Sequence, residues 1–253
     1  MRRELPSPLV SIVIPVASDG EAAERILGQI RPDPRVEVVI VDGGGDLTLS
    51  PAASERPDLT MLRTVRGRAV QMNAGAAAAR GRWLLFLHAD STLPEAWLDV
   101  FAEVVGPAEA GHDVRAGHDV RYVGGWFRFA LDDPAWQARM IERGVRWRVH
   151  RLRLPYGDQG LFAARAVFNT MGGYRPMPLM EDVDLVRRLV KAGPVVELPL
   201  TLTTSARRWQ RDGWLRRSAR NLVLITLYFA GVPPERLARW YGRSASSTTL
   251  DAG

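Results

Sequence analysis

Residues 83–91 read Trp83-Leu84-Leu85-Phe86-Leu87-His88-Ala89-Asp90-Ser91. Five consecutive apolar residues that give way at once to polar ones suit a strand covered by helices on both faces, the habit of parallel sheets in α/β proteins. Upstream, residues 9–16, 36–41 and 59–63 read as further strands of this kind. Between them, residues 21–30, closed by Pro32 and Pro34, and the Ala-rich 67–80, stopped by Gly81, read as helices. Strands alternating with helices predict an α/β fold with a mostly parallel central sheet flanked by helices. Downstream, Pro94 opens a helix to 105, residues 122–131 read as a strand and 132–150 as an arginine-rich helix. A short helix follows Gly157-Asp158-Gln159-Gly160 and ends at Gly172-Gly173, residues 181–192 form another, and 195–200 a late strand. Residues 205–243 read as a basic, tryptophan-bearing helical pair broken at Gly231-Val232-Pro233-Pro234. The expected organisation is one α/β domain over 8–205, a basic helical extension over 206–243 and a disordered tail over 244–253.

Composition narrows the chemistry. The chain has 253 residues, 46% of them hydrophobic, which is enough to build a core. Cysteine is absent, so disulfides, thiolate metal sites and cysteine nucleophiles are excluded. The net charge is +6, and of 34 basic residues only Lys191 is lysine. Guanidinium forks suit phosphate or anionic lipid, and GC-rich codon usage is the other source of such a bias. Neither a leader nor a spanning anchor is read at the amino end, because Pro15 and Asp19 interrupt its apolar run; residues 222–232 fall short of the roughly 20 that a spanning helix needs. The tandem AGHDVR of residues 110–115 and 116–121 reads as a duplicated surface loop rather than a metal site.

In open α/β sheets, ligands collect beyond the carboxyl ends of the strands. Asp42, followed by Gly43-Gly44-Gly45, and His88-Ala89-Asp90 occupy such places. Carboxylates there can take a nucleoside hydroxyl and a divalent cation, although Asp90 could instead cap the helix after Pro94. Glu181, Asp182 and Asp184 crowd the start of a helix after a Pro- and Gly-rich approach. Acids in a first turn complement the helix dipole, and Asp182 could also serve as a general base. No GxGxxG, GxxxxGK[ST] or GxSxG is present, which removes dinucleotide-fingerprint, P-loop and α/β-hydrolase readings.

Taken together, Ser11-Ile12-Val13-Ile14-Pro15, Val38-Val39-Ile40-Val41-Asp42-Gly43-Gly44, Asn73-Ala74-Gly75, Leu87-His88-Ala89-Asp90-Ser91 and Glu181-Asp182 resemble the family 2 glycosyltransferases. These are inverting enzymes of the GT-A fold that use nucleotide-diphosphate sugars. A narrower likeness, carried by residues 67–75, 156–160 and 204–209, is to bacterial rSAM/selenodomain-associated, arsenosugar-biosynthesis-type transferases. The resemblance implies Asp182 as catalytic base with Glu181 beside it, Asp42 on the nucleoside, and Asp90 on a Mn2+ or Mg2+ ion at the donor diphosphate. His88 replaces the first acid of the family's DxD element, and can ligate a cation or bond a ribose, or simply end a strand. Pro15, Gly43, Arg68, Asn73 and Ala89 are expected on the nucleotide-sugar side, and Asp158 and Gln159 at sugar or acceptor hydroxyls. The expected donor is a UDP-sugar, the acceptor a small molecule or lipid. A nucleotidyltransferase or a non-catalytic nucleotide-sugar-binding protein is the rival reading. A nucleic-acid partner is not expected, because it leaves the acidic clusters unexplained. The tail arginines beside Trp209 and Trp214 suit either a helix packed on the domain or contact with anionic lipid at the inner face of a membrane, in an otherwise cytoplasmic protein.

Overall fold

The computed structural model describes residues 7–17, 19–106 and 122–246, with the backbone alone for 242–246. The AGHDVR repeat and the expected tail from 247 onward lie outside the described residues. The first half of the chain runs β1 (Val10–Val16), α1 (Gly20–Gln29), β2 (Val36–Asp42), the single turn α2 (Pro51–Ser54), β3 (Leu59–Arg63), α3 (Arg68–Ala78), β4 (Trp83–Phe86), the two-residue β5 (Ser91–Thr92) and α4 (Trp97–Val105). The second half runs β6 (Gly124–Leu131), α5 (Trp136–Leu152), a 3-10 turn (Gly157–Gln159), β7 (Leu161–Ala164), α6 (Arg165–Thr170), α7 (Glu181–Ala192), β8 (Val195–Thr204), α8 (Arg207–Asp212), α9 (Trp214–Phe229) and α10 (Pro234–Ser246).

One eight-stranded sheet holds the molecule together, in the order β3-β2-β1-β4-β7-β6-β8-β5. Its first four strands are parallel, as the alternation of strands and helices predicts. Both faces are buried, and successive residues of one strand serve different cores: Ile12, Ile40 and Leu85 pack on the side of α1 and α4, while Val13, Val41 and Phe86 pack on the side of α3 and α7. A polar clasp closes the amino-terminal edge of β1 and β2. Glu37, 2% exposed, accepts from Ser11 Oγ and from the backbone and side chain of Arg80. Burial opposes its charge, but these donors hold its carboxyl below the ordinary range.

Three features depart from the sequence reading. β7 lies where a helix alone is expected after Gly160; it sits antiparallel between β4 and β6, and all four of its residues are buried. Its apolar run of four, read with α6 behind it, cannot be told from a buried helix by periodicity. β8 runs to Thr204, beyond 200. Leu198 pairs with Phe127 and Thr201 with Arg128, so Pro199 and Leu200 form a bulge that lets the strand pass a residue lacking an N–H. The tail is three helices rather than two, because Gly213, at φ 84°, breaks α8 from α9.

β6 and β8 approach so closely that Gly125 has no room for a side chain: a Cβ there would strike the Val196 carbonyl oxygen and the Phe162 ring. Gly125→Ala should therefore lower unfolding stability by about 3 kcal/mol, seen as a reduced denaturant midpoint at unchanged slope.

Candidate functional site

The carboxyl ends of β1, β2 and β4 meet the start of α3 and the segment after β8. Gln71 of α3 fixes this corner by donating to the Val16 and Val41 carbonyls, both at 2.8 Å. The donated bonds tie the paired ends of β1 and β2 to α3, beside a cleft of about 970 Å3 lined by Pro15, Asp19, Ala89 and the arginines Arg66, Arg207 and Arg211. Asp42 does not face it. Asp42 is 0% exposed, and its carboxylate accepts from the backbone of Gly44 at 2.8 Å and Leu47 at 3.1 Å. Burial raises its pKa, but these backbone donors outweigh burial and keep the group ionised. Its place is to shape the loop after β2, with Gly43 packed against Gln71.

Arg68, His88, Asp90 and Arg208 stand at the inner end of the cleft and belong equally to a smaller cavity of about 150 Å3. Asp90 Oδ2 pairs with Arg208 at 3.2 Å, while Asp90 Oδ1 and His88 Nε2 are buried with no hydrogen-bond partner. Burial, reinforced by Arg68 and Arg208, holds the His88 pKa well below its ordinary value, so the imidazole is neutral and its free nitrogen can accept or ligate. Among the described residues no three His, Asp or Glu side chains form a ready-made cation cage. The two unpartnered atoms, His88 Nε2 and Asp90 Oδ1, nevertheless fit a divalent transition-metal ion such as Mn2+, with its other ligands from a substrate's phosphates.

Glu181 and Asp182, at the start of α7, line the smaller cavity. Asp182 Oδ2 accepts from Gly157 N at 2.7 Å and Oδ1 from Val183 N at 2.8 Å, which fixes the carboxylate while leaving lone pairs open. A Cβ on Gly157 would lie 3.2 Å from Asp182 Oδ2 and 3.3 Å from His88 Nε2, so both groups border the space that this glycine leaves. Glu181 is buried and paired with Arg68 at 3.1 Å; burial first, then Asp182, raises its pKa. Met180, just before them, has φ 69°, a strained backbone for a side chain of this kind. Asn73 holds this approach rather than lining either cavity: it donates to Tyr174 O at 2.7 Å and accepts from Tyr174 N at 2.8 Å. Gln159 is likewise spent on backbone, with the Phe127 carbonyl and the Tyr156 N–H. Asp158 does line the cavity, with Oδ1 buried and unpartnered.

Of the residues expected at the site, the structure brings Pro15, Arg68, His88, Ala89, Asp90, Asp158, Glu181 and Asp182 to these two cavities, and it corrects the expectation for Asp42, Gly43, Asn73 and Gln159, which stand in the scaffold around them. The sequence reading omits Arg208 from the site. β8 delivers α8 there: Ser91 pairs with Thr204 across β5 and β8, and Trp209 anchors α8 against Leu131, Ala138 and Ala206. The strand-end rule applied to the full length of β8 would have found it.

The sequence profile of Glycosyl transferase family 2 matches residues 11–170. Beta-monoglucosyldiacylglycerol synthase of Synechocystis sp. is 26% identical over 239 residues, 83% of this chain and 48% of that protein. The chain thus spans about half the length of this curated relative. Among solved structures, the mannosyltransferase PcManGT from Pyrobaculum calidifontis, in complex with GDP-Man and Mn2+, is similar with a TM-score of 0.61 over 97% of this chain and 71% of that one, at 19% identity. The fold is GT-A-like, an α/β architecture with a mixed central sheet flanked by helices.

Burial pushes the Asp158 carboxyl up to about 6; Asp182 and Asp90 add to this, and Arg148 and Arg68 oppose it. In the unfolded chain an aspartate titrates near 4, so the fold favours the protonated form, and the stability this gives is full below about pH 4 and lost as pH rises through about 6. Asp158→Asn, neutral throughout, should raise Tm over wild type by a few degrees near pH 8 and leave it close to wild type near pH 4.

Proposed function

We propose that this chain, which belongs to glycosyl transferase family 2, moves one sugar from a nucleotide-diphosphate donor to an acceptor hydroxyl with inversion at the anomeric carbon. The observation that carries the reading is the junction of the two cavities. An arginine-lined cleft fit for a nucleotide diphosphate opens, past His88 and Asp90, onto a pocket where Asp182 is held by Gly157. A single direct displacement with Asp182 as the base would invert that carbon.

The donor's phosphates would lie between Arg208 and Arg68, near the end of β4. A Mn2+ or Mg2+ ion held by Asp90 and His88 would, when bound, add positive charge where the leaving diphosphate gains negative charge. The acceptor oxygen attacks the anomeric carbon from the Asp182 side. The bond from that carbon to the diphosphate oxygen breaks and its electron pair leaves with the diphosphate; the hydroxyl proton passes to the Asp182 carboxylate. Arg208 pairs with Asp90, and a donor diphosphate would offer its guanidinium a better-matched partner and so free the Asp90 carboxylate. Arg68, tied to Glu181, links the donor cleft to α7 and keeps the base in register with the donor.

We take the donor nucleotide to be UDP; the likeness to a GDP-Man-bound mannosyltransferase makes GDP the alternative. The acceptor is a small molecule or a lipid, the latter supported by the diacylglycerol named in the Synechocystis relative. Work at the cytoplasmic face of a membrane, and kinship with the rSAM/selenodomain-associated transferases on residues 67–75, 156–160 and 204–209, belong to the same proposal. Among the described residues no helix is long and apolar enough to cross a membrane.

Loss of a positioned general base typically costs roughly 10²–10⁴-fold in rate. Asp182→Asn should lower kcat for sugar transfer by about that factor while calorimetric binding of the nucleoside diphosphate stays within about twofold of wild type. Unchanged turnover would remove Asp182 from the mechanism.

A further inference from the structure

A third cavity, about 500 Å3, is an open groove between α5 and α9. Its walls are apolar and its floor runs directly into the catalytic pocket: Tyr156, Asp158, Trp209, Asn221 and Ile225 line both. Large side chains point into it and stay open to solvent, among them Trp136 (64% exposed), Trp147 (62%) and Leu222 (66%). On α5, Trp136, Met140 and Trp147 stack on one face at 3.6 residues per turn. Arg143 and Arg146 run along one edge of that stripe and Arg151 along the other; all three are exposed, with no ion pair among the described residues. Exposed apolar surface of this extent marks a binding site, and a rim of free guanidinium groups beside exposed indoles suits a surface that is apolar below and anionic above.

Resting on the transferase reading above, we propose that this groove holds the hydrocarbon chain of the acceptor, and that the acceptor is a membrane-borne amphiphile with a hydroxyl head. The continuity of the cavities sets its orientation. The chain lies along Met140, Trp147, Leu222 and Ile225, the head passes Tyr156 and Asp158, and the hydroxyl ends at Asp182. Tyr156 marks the change of character: its ring is stacked by Arg148, with the guanidinium carbon 3.4 Å from the ring centroid, and it borders apolar groove and acidic pocket alike. The rim arginines would meet the anionic headgroups of the membrane from which the acceptor is drawn, which accounts for unpaired positive charge beside a surface of no other evident use.

The probes are a series of monoacylglycerols from octanoyl to tetradecanoyl, below their micellar concentrations, and vesicles of phosphatidylcholine with or without phosphatidylglycerol. Binding of the full chain is followed by its tryptophan fluorescence, with nucleoside diphosphate binding measured in parallel. Affinity should rise roughly fourfold per added methylene until the groove is full. Met140→Glu and Leu222→Glu, both at exposed positions, should abolish that dependence and leave nucleotide binding unchanged. Arg143→Gln with Arg146→Gln should weaken binding to phosphatidylglycerol vesicles alone. Chain-length-independent binding, or none, with nucleotide binding intact would overturn this inference and leave the transferase reading standing; loss of nucleotide binding in the wild type would instead remove the reading itself. A concentration-dependent dimer dispersed by Met140→Glu would show that a second copy fills the groove, and would also overturn it.

Discussion

The hydrogen bond from Gly157 N to Asp182 Oδ2 is the contact on which the rest of the site depends. It joins the turn before β7 to the first turn of α7, across 25 residues of chain, and glycine at 157 keeps that approach uncrowded, since a Cβ there would come within 3.2 Å of Asp182 Oδ2 and 3.3 Å of His88 Nε2. β7 fixes one end of the bond by sitting between β4 and β6. Asn73 and Tyr174 fix the other by holding the approach to α7 against α3. With both ends fixed, the acid faces the end of β4, where His88 and Asp90 present their unpartnered atoms. A strained Met180, an acid pushed up to about 6 at Asp158 and buried atoms without partners are concentrated within this small volume. Such costs persist where a ligand is meant to relieve them.

The parallel half of the fold was legible because its signal is local. Apolar runs covered on both faces, stopped by glycine, proline or acid, need no tertiary information. β7 was not legible: an apolar run of four suits a buried strand or a buried helix equally, and only insertion between β4 and β6 decides. β8 is read only to 200, because the polar, threonine-rich residues after it carry no apolar run, while the bulge at Pro199 and Leu200 lets pairing with β6 continue to Thr204. That error concealed Arg208, which the sequence shows only as one arginine in a basic tail. Asp42, Asn73 and Gln159 illustrate the converse. Their motifs mark the site, but their polar atoms are consumed by backbone groups, and residue type alone does not separate a ligand contact from the brace behind it.

Charge is placed with the same economy. Guanidinium groups line the cleft, clasp the buried Glu37 and Glu181, and rim the groove between α5 and α9, so the net charge of +6 is divided among anion binding, scaffold and surface rather than spread evenly. At the site, Arg208 is paired with Asp90 and Arg68 with Glu181. A diphosphate can then exchange partners with groups that are already oriented.

The central claim is that the cleft beside β1, β4 and α3 receives a nucleotide diphosphate. Titration calorimetry with UDP and GDP, with and without Mn2+, on wild type and on Asp90→Ala tests it most directly. The account predicts binding of one of the two nucleotides, strengthened by the cation in the wild type and not in the variant. Heat-silent mixing with both nucleotides, in either the presence or absence of Mn2+, would contradict it.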